Sequence, residues 1–447
     1  MTGVAFRVAI VGAGPAAFYA AQHLLGSADP VVAVDMYDRL PTPWGLVRAG
    51  VAPDHPKIKS VSSQFAEIAG HANYRFFGNV ELGRDVSRDD LLARYDAVLY
   101  AVGTRSERRL DIPGEDLPGS MAASDFVAWY NGHPDHAALD PDLSGKRAVV
   151  IGNGNVALDV ARMLLLPVSE LSRTDTADHA LAALAASNIR EVTVIGRRGP
   201  AQAAFTTPEL RELADIEGLD VGLDDPAALD LPPSPDAPDP KRVERNLAVL
   251  AKYGAGAGAN ERRLRFRFLR SPVEIIGDGR VEGLVVGVNR LEEREGRLQA
   301  VDAGEREILP ADLIVRAVGY RGTPLPGVPF DERSGTIPHD GGAVIGGDRE
   351  YVAGWIKRGP SGVIGTNRGC GVDSAERLIA DLAGRIGTAA SPAEVSAWLR
   401  RACPDHVDHA GWMRIDRHET GRGQAAERPR VKLVTLAEML AVAREPA

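Results

Sequence analysis

The sequence predicts an α/β protein built from two parallel-sheet domains, one inserted into the other. Three observations predict it. Residues 7–25, RVAIVGAGPAAFYAAQHLL, and 146–165, KRAVVIGNGNVALDVARMLL, each run from an apolar strand through a glycine-rich turn into an amphipathic helix. Two further apolar strands, YDAVLYAVGT (95–104) and DLIVRAVGYR (312–321), end in the same Ala-Val-Gly and bracket the second of those units. At 447 residues the chain also exceeds what one hydrophobic core comfortably supports.

The first unit carries Gly12-Ala13-Gly14-Pro15-Ala16-Ala17, a GxGxxA form of the dinucleotide fingerprint. Gly12 allows the tight turn, and Gly14 lets a pyrophosphate approach the backbone. Ala17 is small enough for close helix–strand packing. The helix that follows offers its unpaired N–H groups to the phosphate. A second strand, VVAVDMYD, ends in Asp38, 21 residues beyond Ala17 (38 − 17), where a ribose-binding carboxylate belongs. Strand, motif, helix, strand and acid together make a dinucleotide site, against the plain alternative of a glycine turn without a ligand.

Between Arg39 and Lys59 the chain reads RLPTPWGLVRAGVAPDHPKIK, with four prolines and neither helical nor strand periodicity. Loops this long are uncommon and are usually functional or disordered. Trp44, Leu46, Val47 and Val51 are costly to leave in water, so an ordered wall is expected.

The second unit carries Gly152-Asn153-Gly154-Asn155-Val156-Ala157. Its next strand, REVTVIGRRGP, ends in Arg197-Arg198 in place of an acid. Arginine there accommodates a 2′-phosphate, so the site reads as NADP(H). Arg197 lies 40 residues past Ala157 (197 − 157), and a helical insert from Pro167 to Asn188 supplies the extra length. The bland alternative is a solvated arginine pair at a strand end. One acid-ended and one arginine-ended site suggest two different dinucleotides, FAD at the first and NADPH at the second. The chain is thus expected to hold two Rossmann-like dinucleotide-binding domains. The Ala-Val-Gly strand ends resemble the crossing points of two-dinucleotide flavoproteins, which implies that the NADP domain (105–319) is inserted into a discontinuous FAD domain (1–104 and 320–447).

Two stretches remain. DDPAALDLPPSPDAPDPKR, Asp224 to Arg242, reads as an exposed loop without assigned function. ERRLRFRFLR, Glu261 to Arg270, alternates like a strand, with Arg263, Arg265 and Arg267 on one face and Leu264, Phe266 and Phe268 on the other. It reads as the solvated outer face of an edge strand, or as a docking surface for an acidic partner.

Composition excludes several classes. A net charge of −9 argues against a generic nucleic-acid binder. No run of about 18 apolar residues suggests a membrane span, and Met1 leads directly into the strand at Phe6, so no leader peptide is expected and the location is read as cytoplasmic. The only cysteines, Cys370 and Cys403, exclude a CxxC redox pair and a cysteine-built iron–sulfur site.

PTPWGLVRAGVAPDHPKIK, NIREVTVIGRRGPAQAAFTTPELREL and YVAGWIKRGPSGVIGTNRG resemble signatures of the adrenodoxin reductase type of ferredoxin–NADP reductase, in particular its actinobacterial members. With the two glycine motifs the resemblance covers essentially the whole chain. It implies that the proline-rich loop packs beside FAD, with its backbone near Leu46 on the flavin. Ala13, Asp38, Leu46 and Leu82 would contact FAD, Trp355 would stand against the flavin, and Gly362, Val363 and Ile364 would close over flavin and nicotinamide. Asn153, Gly154, Asn155 and Val156 would cradle the NADP pyrophosphate, and Arg197, Arg198, Glu209 and Arg108 would complete that site. His55 and Glu209 are the candidate catalytic residues, for orienting the ring and shuttling protons, although a loop histidine and a helix-capping glutamate are also ordinary structure. The implied activity is hydride transfer from NADPH to FAD and delivery of single electrons to a ferredoxin, an acidic iron–sulfur protein. Arg211, Arg242, Arg245 and the Arg263 to Arg267 face are the candidate docking residues. The rival readings are an NADPH diaphorase with another acceptor and a non-catalytic NADP-binding redox sensor.

Overall fold

The computed structural model describes residues 4–233, 239–256, 258–362 and 364–446. The chain forms two compact units. One comprises Met1–Ser106, Asn131–Ala137 and Gly319–Ala447, and the other Glu107–Tyr130 and Ala138–Val318. The divisions fall at 106/107 and 318/319, and Asn131–Ala137 groups with the first unit.

The first unit is built on β1 (Phe6–Val11), β2 (Val32–Tyr37), β3 (Tyr74–Gly78) and β4 (Ala97–Tyr100). The eight-stranded sheet runs His339–Asp340, Ala343–Val344, Glu350–Val352, β4, β1, β2, β3, Val407–Asp408; the five strands from Glu350–Val352 to β3 are parallel, and those at both edges antiparallel. All six residues of β1 and of β2 are buried, as expected of parallel strands covered on both faces. Helix α1 (Pro15–Leu25) lies on one face, where Phe18 stacks on Phe65 at 4.7 Å between centroids. The helix Ile364–Leu382 packs on α1 so closely that a Cβ at Gly371 would lie 2.6 Å from the Ala16 carbonyl. The opposite face is filled by Tyr37, Leu91, Tyr95, Tyr100, Val395 and Leu399.

The second unit repeats the theme. Its parallel sheet runs Ser120–Ala122, Leu313–Arg316, Arg147–Ile151, Glu191–Ile195, Arg262–Arg267, Leu219–Leu223. An antiparallel sheet of Arg270–Ile276, Gly283–Arg294 and Arg297–Pro310 follows. The insert after the second glycine motif does form helices, Val168–Leu171 and Asp178–Ala185.

The structure corrects three local readings. Arg262–Arg267 is not an edge strand, because Leu219–Leu223 pairs outside it. Its alternation is as read, with Leu264 and Phe266 fully buried, but Arg267 pairs with Asp224 at 2.7 Å and Glu307 at 3.1 Å, which neutralises part of the basic face. The Asp224 to Arg242 stretch is not all loop: Pro226–Asp230 forms a 3-10 turn, and Asp239 caps a helix, Pro240–Tyr253. Finally, the proline-rich loop contains two single-turn helices, Leu46–Ala49 and Pro56–Lys59. Pro56 is at the first helical position, where its missing N–H costs nothing.

Candidate functional site

Each unit presents one glycine turn at the carboxyl ends of its parallel strands, and the two turns are built alike. Gly12 has φ +104°, and a Cβ there would lie 2.4 Å from the Ala101 carbonyl oxygen. Gly152 has φ +141°, and its Cβ would meet the Ala317 carbonyl oxygen at 2.2 Å. The crowding groups belong to the two Ala-Val-Gly strand ends, whose amides donate to Val11 and Ile151 at 2.8 Å each. The first glycine of each motif is therefore fixed by the chain's own packing. The second is not: a Cβ at Gly14 or Gly154 would meet nothing within 4 Å. Both glycines are helix N-caps in extended conformation, and neither helix start receives a side-chain cap. The first amides of each helix are left for an anion.

Around the first turn, the Asp38 carboxylate accepts hydrogen bonds from the amides of Ala13 (2.8 Å) and Leu40 (2.9 Å). Burial pushes its carboxyl above the usual range, opposed by those two amides. Two N–H donors leave further lone-pair sites on the carboxylate for a ribose. The proline-rich loop docks on the same turn. The Trp44 amide donates to the Ala13 carbonyl at 2.7 Å, and a Cβ at Gly45 would lie 2.9 Å from the Gly14 Cα. Trp44 is buried with φ +84°, whereas Leu46, two residues on, is 36% exposed in a chain whose large apolar groups are mostly covered. An apolar side chain presented beside a phosphate-ready turn fits a flat aromatic ligand. Leu82, by contrast, is buried in the apolar core of the unit, so it would serve as backing.

Trp355 opens a single-turn helix, Trp355–Arg358, after Gly354, where a Cβ would lie 2.8 Å from Ala16 Cβ on α1. Its indole Nε1 is buried without a hydrogen-bond partner, the kind of orphaned donor that a bound polar ring would satisfy. Tyr320 packs against it at 5.5 Å. Gly362 has φ +80°, Ile364 begins the long helix, and Val363 lies outside the described residues. His55 is buried at the start of Pro56–Lys59, and its carbonyl accepts from the amides of Ile58 and Lys59.

Around the second turn, the Asn153 carbonyl accepts from Ala204 and Phe205, and Asn155 Oδ1 accepts from the Thr206 amide at 2.8 Å. These asparagines thus hold the 204–206 segment as well as flanking the turn. Asn153 Oδ1 is buried without a partner, and its side chain fills the space over Gly196. Val156 is half-buried in the first turn of the helix. Arg197 is exposed and has no side-chain partner among the described residues, free to meet a phosphate; Arg198 is half-buried. Arg108 is exposed.

Glu209 is buried in the first turn of Thr207–Glu212 and accepts from Arg162 at 3.3 Å. Arg162 is itself fully buried and also pairs with Asp159 at 2.7 Å. Sequence reasoning missed this arginine. The signal was available, since Asp159 and Arg162 stand three apart on an otherwise apolar helix. Arg242, read as a docking candidate, instead donates to the carbonyls of Ala204 (3.1 Å) and Phe205 (3.0 Å); Arg211 and Arg245 are exposed.

Residues 6–215 match the family model described as Pyridine nucleotide-disulphide oxidoreductase. The chain is 54% identical to the NADPH-ferredoxin reductase FprA of Mycobacterium tuberculosis, over 98% of this chain and 99% of that protein. It is 42% identical to the mitochondrial NADPH:adrenodoxin oxidoreductase of Salvelinus fontinalis, over 98% and 91% respectively. The solved structure of M. tuberculosis FprA in complex with NADPH superposes with a TM-score of 0.94 at 53% identity, covering 98% of this chain and all of that one.

Proposed function

Because the chain belongs to the adrenodoxin reductase-type ferredoxin–NADP reductases, we propose that it binds FAD in the first unit and NADPH in the second and reduces a ferredoxin. Held in the first unit, FAD would supply the chemistry that matches a two-electron hydride donor to a one-electron carrier. The protein's work is binding and orientation. In the first unit the turn at Ala13 and Gly14 and the opening amides of α1 receive the pyrophosphate, Asp38 the ribose, and Leu46 and Trp355 the flavin, with Gly362 and Ile364 alongside. In the second, the turn from Asn153 to Val156 receives the pyrophosphate and Arg197 and Arg198 the 2′-phosphate, with Arg108 at its margin. Glu209 and His55 act as positioning groups.

The observation that carries this reading is the repeated contrast between a closed first glycine and an open second one. A structural glycine turn requires the first feature but has no use for the second. The acid after one turn and the free arginine after the other assign the two ligands. The partner is read as an acidic iron–sulfur protein approaching exposed arginines, and the protein as cytoplasmic; no helix among the described residues is long and apolar enough to cross a membrane.

The test is to purify the protein, release its chromophore by denaturation, and titrate the holoprotein anaerobically with NADPH and NADH. The reading expects one FAD per chain, bleached by NADPH at far lower concentration than by NADH. Absence of flavin, or equal response to both nicotinamides, would overturn it.

A further inference from the structure

A buried, heavily charged cluster of the first unit has no part in the chemistry described so far. Glu419, on the helix His409–Ala425, is fully buried. Its carboxylate accepts from Arg48 Nη1 at 2.7 Å and Nη2 at 2.5 Å, from Arg430 at 2.9 Å and from the Leu433 amide at 2.9 Å. Although burial would raise its pKa, the two guanidiniums hold the carboxyl below the usual range. Arg430 also pairs with Asp416 at 2.9 Å, so two arginines and two carboxylates balance.

The cluster is interleaved with aromatic rings. Trp44 and Trp412 meet edge to face at 4.9 Å, Arg430 lies over Trp44 at 5.6 Å and Arg48 over Trp412 at 5.9 Å. Lys432 donates to the Arg48 carbonyl at 3.2 Å and to Asn131 Oδ1 at 3.1 Å, and Lys59 reaches the same Asn131 oxygen at 3.2 Å. Every one of these contacts ends on the proline-rich loop: at Trp44, at Arg48, and through Asn131 at Lys59. Between Trp44 and Arg48 lies Leu46, which no such contact holds and which faces outward.

We propose that Glu419 is a positioning residue for the flavin, clamping both flanks of Leu46 so that the loop holds its face against the ligand. This rests on the assignment of FAD to the first glycine turn. A buried carboxylate with four donors is costly to build and has no packing advantage over an apolar residue of equal size. What it adds is a fixed geometry for two arginines separated from it by more than 370 positions in one case (371 between Arg48 and Glu419) and by 11 in the other. Rigid support of a contact loop lowers the ordering cost at binding.

The experiment compares three holoproteins with the parent: Glu419→Gln, Arg430→Gln, and Asp35→Asn as a control. Asp35 is equally buried, and its hydrogen-bond partners among the described residues, Arg7, Arg75 and Tyr95, all lie outside the loop. FAD release is followed by flavin fluorescence after dilution, well below the unfolding midpoint measured by circular dichroism, together with the visible flavin spectrum. Glu419→Gln is expected to release FAD at least tenfold faster with a shifted spectrum, and Arg430→Gln about threefold faster. Asp35→Asn is expected to lower the midpoint without changing release. Unchanged release in soluble Arg430→Gln or Glu419→Gln, or faster release in Asp35→Asn for the same loss of midpoint, would overturn the proposal. A parent protein that carries no FAD would instead defeat the cofactor assignment on which it stands.

Discussion

Gly154→Ala separates binding from folding. At Gly154 the backbone is φ −107°, ψ 178°, which alanine adopts freely, and the added methyl meets no protein atom within 4 Å. Restricting the unfolded chain favours the variant by about 0.4–1 kcal/mol, while alanine is a poorer N-cap than glycine by a similar amount. The net change in stability should therefore stay within about 1 kcal/mol. The methyl projects into the space where a phosphate would approach the first helical amides, and displacing one charge-assisted hydrogen bond costs about 1.5–3 kcal/mol. That is a roughly 10- to 100-fold rise in the NADPH Michaelis constant. Gly152→Ala is the opposite case: at φ +141° with a carbonyl oxygen 2.2 Å from the new Cβ, backbone strain and overpacking should cost about 2–5 kcal/mol. The assay is steady-state reduction of an artificial acceptor at varied NADPH, with thermal unfolding of both variants. An unchanged Michaelis constant in Gly154→Ala, or equal destabilisation by the two substitutions, would refute the argument.

Two other outcomes follow from the same geometry. Replacing Arg197 and Arg198 together by Ala should raise the NADPH Michaelis constant by about 100-fold, from one or two charge-assisted bonds, and leave that for NADH nearly unchanged; equal effects would remove the 2′-phosphate assignment. Glu107, which accepts from the amides of Ser124 and Val318 at 3.0 Å, has its carboxyl pushed by burial from the ordinary 4.5 to about 7. Its folded-state pKa is raised, so its contribution to stability is complete below about 4.5 and is lost as pH climbs through about 7. Glu107→Gln should flatten that part of the curve of denaturation midpoint against pH, and an unaltered slope would count against it.

What could be read in the sequence was what local rules dictate. Glycine at positions 12 and 152 is a backbone requirement, glycine at 14 and 154 keeps a space open for a ligand, and Leu264, Phe266 and Phe268 alternate because a strand alternates. The helical insert after Pro167 likewise declares itself by composition. The rest depends on partners distant in the chain. Nothing in RLRFRFLR tells that Leu219–Leu223 will pair outside it. Nor does the proline-rich loop announce that Arg48 will meet Glu419, or residues 131–137 that they will pack with the first unit. Arg162 was half legible: its partner Asp159 is three positions away on the same helix, but Glu209 comes from another element that the sequence does not place beside it. The candidate docking arginines show the same limit, since Arg242 and Arg267 spend their charge inside their own unit.

The most direct test of the central claim is anaerobic oxidation of NADPH by the purified protein with ferredoxin as carrier and cytochrome c as final acceptor. Cytochrome c reduction should depend strongly on ferredoxin, with about two cytochromes reduced per NADPH, and added salt should suppress it as charge attraction is screened. NADPH oxidation of the same rate with and without ferredoxin, indifferent to salt, would contradict it and make the protein a reductase for another acceptor.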